Sequence, residues 1–176
     1  MKHQNLKEVS NEMVEFATKV LDDKGEVEAM VDIIFDKDGE TTRGLMPLSH
    51  MMDLPNLPDI LRSAFADMGV TQYVMITEAW SVRMKRENGQ TFEDMRKAYG
   101  DITPSQSEDR IDTLIIAGMD NTGQRLFKMF EIKTDADGKR SIDKPETDVS
   151  WSPGQPGTHA LEGRFCNLLD LPETIH

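Results

Sequence analysis

A single cysteine, Cys166, in 176 residues has no partner within the chain, so no intrachain disulfide is expected. No apolar run comes near the roughly 18 residues that a membrane-spanning helix needs. The opening MKHQNLKEVSNEM has no apolar stretch behind its lysines to act as a secretion signal. These absences predict a cytoplasmic protein with no membrane partner. Histidine is sparse and scattered: His3 and His176 lie at the ends, and His50 and His159 in separate loops. No HxH, HExxH or Cys/His ligand spacing occurs, which argues against a structural zinc site. There is no GxGxxG and no Walker loop, so no dinucleotide or nucleoside triphosphate site is inferred. No nucleophile elbow or CxxC supports Ser49-His50 or Cys166 as a nucleophile, and Cys166 beside Phe165 and Leu168 reads as a buried thiol. No cofactor is expected. No internal repeat is visible at any fixed spacing.

Positive charge is also short. Thirty-two Asp and Glu stand against twenty Lys and Arg, a formal charge of -12 with a pI near 4.7. Such a surface repels nucleic acid, keeps the protein soluble and suits a basic protein partner. The length is that of one domain with a proper core.

What is present reads as α+β. The expected architecture is an antiparallel sheet of about five strands packed with two main helices, followed by an irregular C-terminal tail. The domain spans residues 1–143, and 144–176 form a Pro/Gly-rich tail that docks partly on it, through Trp151 and the LEGRFCNLLDL stretch. Leu6, Val9, Met13, Phe16, Ala17, Val20 and Leu21 recur at helical spacing before Gly25. Glu28 to Asp36 alternates with a period of two, and Asp36-Lys37-Asp38-Gly39 turns it into a partner strand. The DxDG string lacks the third acidic ligand and terminal Glu of a calcium loop, so a turn is the reading. Pro47 to Pro58 is a connecting loop with three prolines. The second helix follows, with Asn56 as N-cap, Pro58 in its first turn and Gly69 at its end. Gln72 to Lys85 forms a long strand, and Thr91 to Tyr99 a short third helix.

The chain is organised around Arg110 to Lys133, two apolar runs joined by Asp120-Asn121-Thr122-Gly123, which read as a β-hairpin with a two-residue loop. That register sets Asp112 opposite Glu131, Leu114 opposite Met129 and Ile115 opposite Lys128. Both faces are largely apolar. The hairpin therefore belongs in the interior of a sheet with something packed on each side, helices or a second subunit, and a homodimer is one way to supply that cover.

Two sets of residues are candidates for chemistry. In the expected register Asp112, Glu131 and Lys133 share a face with Arg110, and two carboxylates beside a lysine suit a divalent cation and a phosphodiester. FEIK resembles the acidic-x-Lys half of the PD-(D/E)xK nuclease motif, although Ile111 precedes Asp112 where that motif has proline. The plainer reading is two sheet-end carboxylates neutralised by Arg110 and Lys133. The second candidate is Glu78, which interrupts the apolar row Val74, Ile76, Trp80, Val82. It is either a partly desolvated acid or base, or the partner of an arginine such as Arg43, Arg83 or Arg110.

The run VMITEAWSVRM from Val74 to Met84, with PSQSEDRIDTLIIAGMDNTG after it, resembles small uncharacterised bacterial and phage α+β proteins that share an EAW strand, a Pro-Ser loop and a following hairpin. The resemblance implies an α+β fold and no known activity, and it draws Glu78, Trp80 and Arg110 together as partners. The expected function is a non-enzymatic protein-interaction protein, accessory or inhibitory, of phage type. The alternative is a metal-dependent phosphodiesterase or nuclease using Asp112, Glu131 and Lys133, which alone would call for a divalent metal. A small-molecule binding domain, resting on Met and aromatic content, ranks last.

Overall fold

The computed structural model describes residues 5–37, 39–82, 108, 110–152, 168 and 169. Its first helix, α1 (Leu6–Lys24), starts at a reciprocal capping box. Asn5 Oδ1 accepts the Glu8 N–H at 2.9 Å, and the Glu8 carboxylate accepts the Asn5 N–H at 3.0 Å. Gly25, at φ 78°, closes it by donating to the Leu21 carbonyl. Strands β1 (Met30–Lys37) and β2 (Glu40–Pro47) form the first hairpin. A 3-10 turn at Ser49–Met51 leads to α2 (Leu57–Met68), which Gly69 ends at φ 66°. Asn56 does occupy the cap position of α2, but its side chain makes no capping hydrogen bond.

Five more strands follow: β3 (Val70–Val82), β4 (Arg110–Asp120), β5 (Arg125–Thr134), β6 (Arg140–Ile142) and β7 (Thr147–Trp151). All pair antiparallel in the order β2-β1-β3-β4-β5-β6, with β7 also on β5, and the sheet curls as a half-barrel. The expectation of about five strands and an irregular tail is therefore corrected to seven strands among the described residues. Of the two additions, β6 follows the turn at Asp135-Ala136-Asp137-Gly138, where the sequence allows a short return strand around Arg140 to Ile142, whereas β7 lies in the stretch after Lys144 whose Pro, Gly, Ser and Thr read as irregular. They form because β5 offers each a ladder, Ile132↔Ile142 to Thr134↔Arg140 and Arg125↔Trp151 to Met129↔Thr147. The expected helix over Thr91 to Tyr99, the loop before Arg110, the strand end past Val82 and the surroundings of Cys166 lie outside the described residues.

The sheet separates two cores. On one face Leu6, Val9, Met13, Ala17 and Leu21 of α1 bury Ile34, Val74, Ile76, Leu114, Ile116, Leu126, Phe130 and Ile132. On the other, Leu57, Leu61 and Phe65 of α2 bury Val31, Ile33, Val70, Tyr73 and Met75, joined by Leu48, Met119, Leu168 and Leu169. The strands β4 and β5 lie inside the sheet, as both their faces require.

The register of their hairpin differs from expectation by one residue. Thr113, rather than Asp112, stands opposite Glu131, and Leu114 stands opposite Phe130. The cause is the turn. Asp120 pairs with Gln124 rather than Gly123, and the loop of Asn121, Thr122 and Gly123 has Gly123 left-handed at φ 81°. Asp120 Oδ1 accepts the Thr122 and Gln124 N–H groups at 2.9 and 3.1 Å, which fixes the three-residue form. Asp135 Oδ1 does the same for Asp137 and Lys139, with Gly138 left-handed, between β5 and β6.

Gly118 stands on β4 where a side chain has no room between β3 and α1. A Cβ there would sit 2.7 Å from the Tyr73 carbonyl oxygen and 3.1 Å from Leu6 Cδ1. A ladder carbonyl cannot move aside, so Gly118→Ala is expected to destabilise the fold by roughly 1–3 kcal/mol, measured by urea unfolding. A loss below a few tenths of a kcal/mol would show that β3 and β4 leave more room at Gly118 than described.

Candidate functional site

Glu78 interrupts an apolar row because it is the acceptor at a junction. Its Oε1 takes the Val27 N–H at 2.7 Å and Arg140 Nη1 at 3.2 Å, and its Oε2 takes Arg140 Nη2 at 2.8 Å. Arg140 Nη1 also donates to the Gly25 carbonyl at 2.7 Å, and Asp112 Oδ2 lies 3.5 Å from Nη2. One ion pair thus ties the end of α1 and the lead-in to β1 onto β3 and β6. The partner is Arg140 rather than Arg43 or Arg110, because β6 brings Arg140 onto the α1 face beside β5, and Arg83 lies outside the described residues. The side chains are 24% and 20% exposed, so the pair is half-screened rather than sealed.

Next along β3 on the same face, Trp80 is 51% exposed, with the Arg110 guanidinium 5.4 Å from its ring centroid. Of Glu78, Trp80 and Arg110, two meet in a cation–π contact and the third belongs to the neighbouring ion pair.

Asp112, Glu131 and Lys133 are not brought together. With Thr113 opposite Glu131, Asp112 projects on the α1 face toward Arg140, and Glu131 and Lys133 project on the other. Lys133 Nζ donates to Asp143 Oδ2 at 2.6 Å, and the two line a shallow cleft of about 490 Å³ with Glu131, Lys144, Pro145 and Glu146. Among the described residues no group of three His, Cys, Asp or Glu side chains is placed to hold a metal ion.

A further cluster was not singled out from the sequence. Asp32, 4% exposed, receives Arg43 Nε at 3.0 Å and Nη2 at 2.5 Å, while Arg43 Nη1 donates to Glu12 at 2.5 Å. Asp32 raises Arg43 above the ordinary arginine value, burial opposes this, and Glu12 adds to the rise. The signal was available: an aspartate between Val31 and Ile33 needs a partner, and the adjoining strand carries an arginine. Lys128, also buried, donates to Asn11 Oδ1 at 2.6 Å under α1.

No protein family, curated protein or solved structure matches the chain.

Two outcomes follow from these pairs. Arg140→Met leaves a largely buried carboxylate on Glu78 with one donor, and should cost roughly 1–3 kcal/mol, less than a sealed pair because water reaches the site. Adding Glu78→Gln should recover part of that loss in a double-mutant cycle. Additive losses would mean the two side chains do not interact.

Lys133 is held above the ordinary lysine value, and Asp143 below the usual carboxylate range, chiefly by their mutual hydrogen bond. The pair's contribution is therefore present at neutral pH. It fades as pH falls through the lowered Asp143 value and as pH rises through the raised Lys133 value. Asp143→Asn should return the Lys133 titration toward that of a free lysine, followed by its side-chain carbon NMR shifts against pH. An unmoved titration would show that the pair does not form in solution.

Proposed function

We propose that this is a non-enzymatic protein-interaction protein, accessory or inhibitory in the manner of the small bacterial and phage proteins its EAW strand resembles, and that it works in the cytoplasm. The observation that carries the reading is Trp80, a large ring half-exposed on the sheet and held in place by Arg110. Tryptophan and arginine are the residue types most enriched where binding energy concentrates, and a ring already ordered by a cation loses little freedom on docking. The formal charge of -12 favours a basic partner and speeds its encounter. The carboxylates beside Trp80 are engaged: Glu78 holds Arg140 and Val27, and Asp112 faces Arg140. Among the described residues no helix is long and apolar enough to cross a membrane.

The test is affinity capture from lysate of the cells that make the protein, with nuclease treatment and mass-spectrometric readout, using the wild type and Trp80→Ala. The expected result is one stoichiometric, nuclease-resistant partner, reduced at least about tenfold by Trp80→Ala, as loss of a single central anchor does, with the melting temperature nearly unchanged. Nothing retained by the wild type would defeat the reading. So would a metal-dependent hydrolysis of phosphodiesters that Lys133→Ala abolishes.

A further inference from the structure

Glu78, Trp80, Asp112 and Arg110 share the α1 face at the end of the ladder between β3 and β4. Trp80 stands directly opposite Asp112, Glu78 lies two residues back along β3, and Arg110, opposite Val82, lies two residues from Asp112 along β4. Arg140 reaches the same patch from β6. Two carboxylates and two guanidinium groups so close together can pair in more than one way. The structure holds one arrangement. Arg140 takes Glu78 at 3.2 and 2.8 Å and lies 3.5 Å from Asp112 Oδ2, while the Arg110 guanidinium lies 5.4 Å from the centre of the Trp80 ring.

Asp112 and Arg110 are same-face neighbours on one strand, so the Asp112 carboxylate competes with the Trp80 ring for the Arg110 guanidinium. Neither contact is sealed from water, since Trp80 is 51% exposed and the Asp112 side chain 44%. At such a site a cation over a ring and an exposed ion pair are of comparable strength, and a small bias decides between them. Arg140 supplies the bias. Its charge beside Asp112 offsets the pull of that carboxylate on a second cation, and its bonds to Glu78 and the Gly25 carbonyl hold it there. Glu78 is the weaker competitor, because the Trp80 row of the ladder separates it from Arg110.

We propose that Arg140 is a positioning residue for the Trp80 surface: by engaging Asp112 it leaves Arg110 to the ring, and the ring is presented already ordered. The effect on binding rests on the interaction reading above. The sorting of charges is a property of the free protein and is tested without a partner.

The readout is NMR of the full chain. The ring current of an indole moves the Hδ protons of a stacked arginine upfield, and Trp80→Leu identifies that displacement for Arg110. Arg140→Met is made together with Glu78→Gln, so that no carboxylate is orphaned at the junction, and folding is checked by the melting curve. The Arg110 displacement should then fall by about half, as the ring and Asp112 share the guanidinium. Adding Asp112→Asn should restore it, because the competing charge is gone and the side chain keeps its size. An Arg110 signal unmoved by loss of Arg140 would overturn the proposal. So would a loss that Asp112→Asn leaves unrestored, since Arg140 would then be a structural tie only. Asp112→Asn alone leaves the ion pair of Glu78 with Arg140 intact and should keep the Arg110 displacement at or above that of the wild type; a drop would overturn the proposal as well. Lysate capture should follow the Arg110 signal through the same variants. If the signal responds as expected and capture does not follow it, the Trp80 docking surface falls and the charge sorting stands.

Discussion

The ladder between β3 and β4, from Gln72↔Asp120 to Val82↔Arg110, is the constraint on which both cores depend. Its two strands send Val74, Ile76, Leu114 and Ile116 into the α1 side, and Tyr73, Met75 and Met119 into the α2 side. Neither helix could be buried if this pair slipped by one residue, because every side chain would change faces. Gly118 stands opposite Val74, where a side chain would meet the Tyr73 carbonyl and Leu6 of α1.

Around that ladder, the charged residues that reach into the structure are used to join elements. Arg140 fastens β6 and the Gly25 to Val27 segment to Glu78, Arg43 fastens β2 to β1 and α1, and Lys128 reaches Asn11 of α1. Arg140 and Lys128 span elements far apart in sequence, and Arg43 joins the first hairpin to α1, so a net acidic chain still places these cations at its seams. Of a different kind is the Trp80 ring, half-exposed beside the Arg110 guanidinium.

Turn chemistry decided how far the hairpins could be read. The string D-x-D-G occurs at 36–39 and again at 135–138. In the first, Lys37 pairs with Glu40. In the second, Asp135 pairs with Lys139 around a longer loop. The hairpin after Asp120 follows the longer form. Asp and Gly announce a turn in all three, yet which residues close it depends on whether the aspartate accepts the N–H groups two and four residues on, as Asp120 and Asp135 do. That single step moved Asp112 and Glu131 to opposite faces.

By itself the sequence determined the local events. The periodicity of Leu6 to Leu21 with Gly25 beyond it specifies α1, Pro58 and Gly69 bracket α2, and the β-branched runs after Gln72 and Arg110 specify strands, because backbone propensity and side-chain period act over a few residues. It also determined the strongly acidic balance. The tertiary structure alone decided the partners. That Glu78 meets Arg140 rather than Arg43, that Lys128 reaches Asn11, and that β7 pairs beside β5 all depend on contacts between distant segments. Such contacts are set when packing selects one register among several that the local chemistry would accept.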